Sequence, residues 1–496
     1  MTQTKSIFAG LFIVCLALFS KQLYPQKTPD SIDLFIQKKM TEHNIPGVQL
    51  AVIRNGKLEK LGNYGFANLE YKVPTTARNI FSINSMTKAF VGIAIMQLQE
   101  EGKLNIDTPF FKYLTDVPNE WRSISIKQLL SNISGLPNNI DQTERVLGDG
   151  SENSNWQLVK NLPMEFSPGE RFSYNQTGYL ILGRIITQLT GKHFTDFIRE
   201  RQFALSNMTS TYFGDCNDII ANNAGSYSTI VNIEGKWIND GILHNSFAAF
   251  PLFFRASTGI YTTAEDLAKW LIALQTGKLL KSQQSIDQMF ETAKLNNGQI
   301  GGFNKLTNGY ALGWPTVVRD EHPAVAPVGG MRSALFLYPK DSLSVIVLTN
   351  LQGANPEWFI DEIAGFYIPD MKAENGFGLS PNLKLLRQEL IKRNFRDIKT
   401  VFKTLKNKNS SFQLEEAEVN GWGYQLIGEN KKNEALQVFE LNTCLFRDSW
   451  NVYDSYGETL ASLGFRKEAI VNYKKSLKLN PENTGAIKFL EAAGDK

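Results

Sequence analysis

The chain has 496 residues, room for two or three domains, and its 42% hydrophobic and 20% charged residues mark a globular protein rather than a disordered one. Its 52 basic side chains against 49 acidic ones leave a net charge of only +3 with no basic run, which removes the expectation of a nucleic-acid partner. Four scattered histidines (His43, His193, His244, His322) show no metal-ligand spacing, so neither a metal nor any other cofactor is expected.

At the N-terminus, Lys5 precedes an apolar run from Ile7 to Phe19 that is too short to span a bilayer comfortably. This pattern predicts a secretory signal peptide over residues 1–24, and hence a periplasmic or secreted protein. No clean small-x-small cleavage site follows, so an uncleaved anchor that would hold the chain to the membrane stays open. Cys15 lacks the small residue that should stand just before a lipoprotein cysteine. Cys216 and Cys444 fall in different predicted domains, which argues against an internal disulfide.

Further along, Val48 to Ile53, then Asn55-Gly56, then Lys57-Leu58-Glu59 read as a strand, a tight turn and a return strand. Apolar residues at helical spacing predict a helix over residues 82–102, with Gly102 stopping it. That helix carries Ser85-Met86-Thr87-Lys88. Residues three apart share a helix face, so the Lys88 amine can reach the Ser85 hydroxyl. A serine becomes a competent nucleophile when a neighbouring base takes its proton. Lysine serves as that base only if burial or nearby positive charge lowers its pKa from about 10.4 towards neutrality. A serine at a helix start is ordinarily a simple cap, so the tetrapeptide alone decides little.

Residues 334–339 and 343–348 form a second hairpin around Lys340-Asp341. Strands at both ends with helices between them suit an antiparallel sheet whose first and last strands are neighbours. Residues 371–382 turn polar and Gly-rich, as a linker would. Beyond it, Gly423, Leu426, Ala435 and Phe439 recur as Gly457, Leu460, Ala469 and Tyr473, each shifted by 34 residues, the tetratricopeptide (TPR) period. Asn480-Pro481 closes the second unit. Two units bury little core, so helices over 383–394 and 395–406 are expected to complete an all-α, TPR-like domain over 383–496.

The surroundings of the Ser85 motif resemble the serine β-lactamase and penicillin-binding-protein superfamily, in particular its class C β-lactamase-like esterases and D-amino-acid peptidases. The resemblance rests on residues 80–107, on Ser131-Asn132-Ile133-Ser134-Gly135-Leu136, on Ser167-Pro168-Gly169-Glu170 and on Phe172-Ser173-Tyr174. It continues in Ser257-Thr258-Gly259 through Ala268 and in Val345 to Asn350. It implies an α+β β-lactamase/transpeptidase-like domain over residues 25–370, an antiparallel sheet flanked by helices with a helical subdomain. It also implies Ser85, Lys88 and Tyr174 as the catalytic set, with Gln176 where the family usually has asparagine. The family's third element, Lys-Thr-Gly or His-x-Gly, falls on Pro327-Val328-Gly329. Gly329 would let substrate approach the backbone, and the N–H groups of Gly330 and Ser85 would form an oxyanion hole. Pro327 replaces the basic residue, which argues against strong binding of a carboxylate-bearing substrate such as a β-lactam or a D-Ala-D-Ala peptide. Arg332 and His322 are the candidate replacements, both at other spacings. Asn132 stands where a histidine is common.

Two functions follow. The first is an exported serine hydrolase that forms an acyl-enzyme on esters, small amides or peptides. The second is a catalytically weakened homologue that binds a protein partner through the TPR-like domain.

Overall fold

The computed structural model describes residues 29–141, 145–233 and 236–494, so the predicted signal peptide or anchor lies outside the described residues. Gly47–Arg54 pairs with Lys57–Asn68 through Asn55-Gly56, whose φ angles of 52° and 71° are those of a tight hairpin turn. On its other edge Gly47–Arg54 pairs antiparallel with Leu343–Thr349, Val48 opposite Thr349, so the first and last long strands are neighbours as expected. Ser333–Tyr338 follows, and the sheet continues through Ala324–Val325 and Pro315–Val317 to Gly309–Tyr310. The short strand Val328–Gly329 pairs with Ser333–Tyr338 at the sheet's working edge.

The central strands are buried on both faces because helices cover each. Alternate residues serve opposite cores. Ala51, Ile53, Leu335, Leu337, Ile346 and Leu348 face the large helical side, where helices Thr87–Glu100, Thr177–Thr190 and Ala264–Gln275 pack. Val48, Leu50, Val52, Phe336, Val345 and Val347 face helices Ser31–Glu42 and Ile360–Ala364. Helix Thr87–Glu100 is buried without interruption from Thr87 through Leu98, so it runs through the core rather than over it.

That helix starts later than its periodicity predicts. Phe81–Ser82 is a short strand, and residues Asn84–Met86 form a 3₁₀ turn entered through Asn84 at φ 44°. Ser85 therefore sits on the turn that feeds the helix, not within the helix.

The C-terminal segment is all helical. Helices Pro381–Ile391 and Ile398–Lys408 precede the hairpins Glu416–Gly428/Lys432–Leu445 and Trp450–Ser462/Arg466–Leu479, and Thr484–Ala492 ends the stack. The residues related by 34 positions pack alike: Gly423 lies against the Phe439 ring and Gly457 against the Tyr473 ring. Met371, the first residue of the expected linker, is buried in the sheet's second core. Among the described residues, no helix is long and apolar enough to cross a membrane.

Candidate active site

Ser85 opens into a cavity of about 520 Å³ that Tyr174, Gln176, Gly329 and Gly330 also line. Lys88 lies one turn into the helix beneath it, only 1% exposed. The amine is not on Ser85. Its Nζ donates to Gln176 Oε1 at 2.7 Å and to the Ser257 carbonyl at 2.8 Å. The rings of Tyr174 and Tyr179 flank it, centroids 4.7 and 5.0 Å away. Ring faces favour a cation by up to about 2 kcal/mol when desolvated, whereas burying an unpaired ammonium costs several. Among the described residues no carboxylate pairs with it, so burial wins and pushes the Lys88 pKa well below its ordinary value. A neutral amine has two hydrogens and one lone pair. In that form Gln176 and Ser257 take the hydrogens, and the lone pair is left to accept a proton.

Ser85 shares the cavity with Tyr174, whose hydroxyl it influences. Burial, with Tyr310 nearby, raises the Tyr174 pKa well above its ordinary value, so the phenol keeps its proton at neutral pH. Its ring is packed against Phe303 and Tyr310, centroids 4.9 and 6.3 Å apart. The loop that presents it is clamped by Asn132, which accepts from Ser173 N–H through its carbonyl at 2.9 Å and from Asn175 N–H through Oδ1 at 3.1 Å. Asn132 thus acts through the loop, at a position where φ is 56°. Gln176 is held in turn by its backbone N–H, which donates to Asn138 Oδ1 at 3.1 Å.

Across the cavity, Gly329-Gly330-Met331-Arg332 makes a two-residue turn with φ 56° at Gly330 and 55° at Met331, closed by Arg332 N–H to the Gly329 carbonyl at 3.0 Å. A glycine is required at 329 for a reason other than substrate access. A Cβ there would lie 2.0 Å from the Ile83 carbonyl, just ahead of the nucleophile turn. At Gly330 a Cβ would lie 2.3 Å from Asn84 Nδ2. The strand and the turn are therefore pressed together, and Ser333 Oγ, donating to the Ile83 carbonyl at 3.2 Å, ties them. The backbone N–H groups of Ser85 and Gly330 have no acceptor among the described residues.

Pro327 is buried behind this strand, its carbonyl accepting from Leu335 N–H at 2.9 Å, and does not line the cavity. Neither candidate replacement for the basic residue reaches it. His322 is engaged by Asp341 at 2.9 Å and Asp370 at 3.3 Å. Arg332, 5% exposed, turns into a neighbouring cavity of about 360 Å³ and donates to Ser226 Oγ. Three contributors escaped sequence reasoning: the Ser257 carbonyl, the Tyr179 ring and Glu357 in the cavity wall. Ser257 sits inside a segment that matched the family pattern, so its signal was present without its role.

A family model described as Beta-lactamase matches residues 32–367. The chain belongs to the beta-lactamase family. Within the family, the protein named Protein flp from Staphylococcus aureus (strain COL) is 29% identical over 329 residues, covering 64% of this chain and 62% of that protein. This chain thus spans less than two thirds of the length of that relative. A putative penicillin-binding protein, PbpX, from Bacillus subtilis (strain 168) is 26% identical over 285 residues, covering 54% of this chain and 68% of that protein. Among solved beta-lactamase-like folds, the octameric penicillin-binding protein homologue from Pyrococcus abyssi aligns with a TM-score of 0.58 at 23% identity, over 72% of this chain and 80% of that one. The D-amino acid amidase from Ochrobactrum anthropi SV3, complexed with L-phenylalanine, aligns with a TM-score of 0.57 at 22% identity, over 68% and 98%. At these identities the structural likeness speaks for the fold alone.

Proposed function

We propose that this beta-lactamase family member is an exported serine hydrolase working through an acyl-enzyme on esters, small amides or peptides. Ser85 Oγ attacks the substrate carbonyl while its proton passes, through the Tyr174 hydroxyl, to the lone pair of Lys88. The unused N–H groups of Ser85 and Gly330 receive the oxyanion. Collapse breaks the ester or amide bond, and the leaving group takes the proton back from the Lys88–Tyr174 pair. Water then attacks the acyl-enzyme with the same pair as base, and the acid departs with Ser85 restored. Gln176 would both hold Lys88 and face the substrate. The single observation that carries this reading is a buried Lys88 whose amine donates to Gln176 and to the Ser257 carbonyl and has no carboxylate partner among the described residues. The lost basic residue at Pro327 is not needed to deprotonate it.

The reading takes residues 383–496 as TPR-like repeats that dock a protein partner, supported by the repeated glycine-on-ring packing of Gly423/Phe439 and Gly457/Tyr473. A removed N-terminal segment would leave the enzyme free outside the cytoplasm, and a retained one would tether it to the membrane.

Intact-mass spectrometry with a fluorophosphonate probe tests the hydrolase. A single adduct that disappears in Ser85→Ala supports it. Folded protein that takes up no adduct refutes it and leaves the partner-binding role of the helical repeats as the function.

A further inference from the structure

The cavity that Ser85 opens into is walled by Phe250, Phe254 and Phe303 on its apolar side. Among the described residues that line it, Glu357 alone has an ionisable acid or base of ordinary charge at neutral pH. Its Oε2 is buried without a hydrogen-bond partner, and burial raises its pKa. A carboxyl left in that condition is costly unless a cation or donor arrives.

Its placement is also built. Gly353 and Asn355 donate their N–H groups to the Met331 carbonyl at 3.1 and 3.0 Å, hanging the loop on the residue that follows Gly330. Asn355 then turns at φ 44°, and Pro356 begins the short 3₁₀ helix Pro356–Trp358 that carries Glu357. The carboxyl is thus fixed relative to the strand that bears Gly329 and Gly330. Nothing basic lines the same cavity, since Pro327, His322 and Arg332 all face elsewhere.

We infer that Glu357 is a specificity-determining residue that receives the free ammonium group of the substrate, so that the enzyme prefers esters and amides of amino acids with an unblocked amine and an apolar side chain. This rests on the hydrolase reading of the same site. An ammonium gives the carboxyl a charge partner beyond its own backbone N–H, and the phenyl walls take an apolar side chain. A substrate carboxylate in that place would meet a like charge.

The test compares phenylalanine methyl ester with its desamino counterpart, methyl 3-phenylpropanoate, and with the N-acetyl ester, in both D and L series. The expected result is a kcat/KM at least about tenfold higher for the free amine, equivalent to about 1.4 kcal/mol. Glu357→Gln should erase that preference through KM, and Glu357→Asp should restore part of it. Equal rates on the three esters in the wild type, or a preference that survives Glu357→Gln, would overturn the inference. Failure of the hydrolase itself is read separately, by the fluorophosphonate adduct and by turnover of the desamino ester. Calorimetry on the Ser85→Ala protein gives a readout free of catalysis: phenylalaninamide should bind about tenfold more tightly than 3-phenylpropanamide, and equal binding would sink the proposal.

Discussion

The amine of Lys88 lies 2.7 Å from Oε1 of Gln176, and that one oxygen both fixes the lysine's rotamer and consumes one of its hydrogens. Replacing it by a hydrocarbon of similar size leaves the amine anchored only by the Ser257 carbonyl at 2.8 Å. Gln176→Leu should lower the acylation rate by about tenfold to a hundredfold, because a general base loses its alignment rather than its presence. Stopped-flow acylation by p-nitrophenyl acetate measures this. An unchanged rate would show that Gln176 does not position Lys88.

Lys88 itself trades stability for chemistry. Its pKa is depressed in the folded chain, so between that value and the ordinary lysine pKa the unfolded chain binds the extra proton and the native one does not. Stability therefore rises with pH across that window and is lowest below it. Lys88→Met should remove the slope, abolish acylation and leave the fold as stable or more so at pH 7. Urea midpoints of the two proteins at pH 7 to 10 check the sign: the wild type should gain on the variant as pH rises. A wild type that loses ground would mean Lys88 is charged in the native state.

Tyr174→Phe separates the hydroxyl from the ring. The contacts with Phe303 and Tyr310 persist, so the melting temperature should hold. The hydroxyl beside Ser85 goes, and with it the proposed proton path to Lys88. Acylation should fall by about a hundredfold, the lower range for losing a positioned proton-transfer group. Loss of the fluorophosphonate adduct at an unchanged melting temperature is the expected pattern. A fully active Phe variant would place Lys88 alone as the base.

Much of this arrangement was legible in the sequence, and the parts that were not share a cause. Alternating apolar residues and the Asn55-Gly56 turn identify the sheet, because period and turn chemistry are local. Ser85, Tyr174, Gln176, Gly329 and Gly330 converge because the family pattern places each on its own element. Helix periodicity could not place the helix start, since Ser82 to Met86 is decided by the Asn84 turn and by strand pairing with Tyr261 and Thr262. The three-residue step from Ser85 to Lys88 suggested direct contact, but Ser85 sits on the 3₁₀ turn and the Lys88 amine donates to Gln176 and Ser257 instead. The second hydrogen-bond acceptor for Lys88 is a backbone carbonyl 169 residues away, which no side-chain pattern encodes. Glu357 carries no motif at all, and only the buried, unpartnered Oε2 of its carboxyl singles it out.

Gly329 allows a test of how the strand meets the nucleophile turn. Its Cβ would lie 2.0 Å from the Ile83 carbonyl and 2.9 Å from Ser333 Oγ, and neither backbone can move without moving Ser85. Gly329→Ala should cost about 1–3 kcal/mol of stability, as overpacking does, and lower acylation together with it. Thermal unfolding and labelling rate would be measured on the same preparation. Wild-type labelling in a destabilised variant would show that the strand yields without disturbing the site.

The two glycines of the helical repeat predict opposite responses to one methyl group. At Gly423 a Cβ would meet Phe439 ring atoms at 2.5 Å, closer than real contacts allow, and the ring is fully buried. At Gly457 the nearest Tyr473 ring atoms stand 3.3 Å away, where a shift of a few tenths of an ångström suffices. Alanine gains about 0.5–1 kcal/mol over glycine inside a helix, and both positions are helical. That gain offsets the mild contact at 457 but not the clash at 423. Gly423→Ala should therefore destabilise the C-terminal helices by about 1–3 kcal/mol, while Gly457→Ala should be neutral or stabilising. Hydrogen exchange of residues 416–479 in the full chain resolves the two, and Ser85 labelling should stay at the wild-type rate in both. Equal destabilisation by the two variants would show that the repeats do not pack as the two ring contacts require.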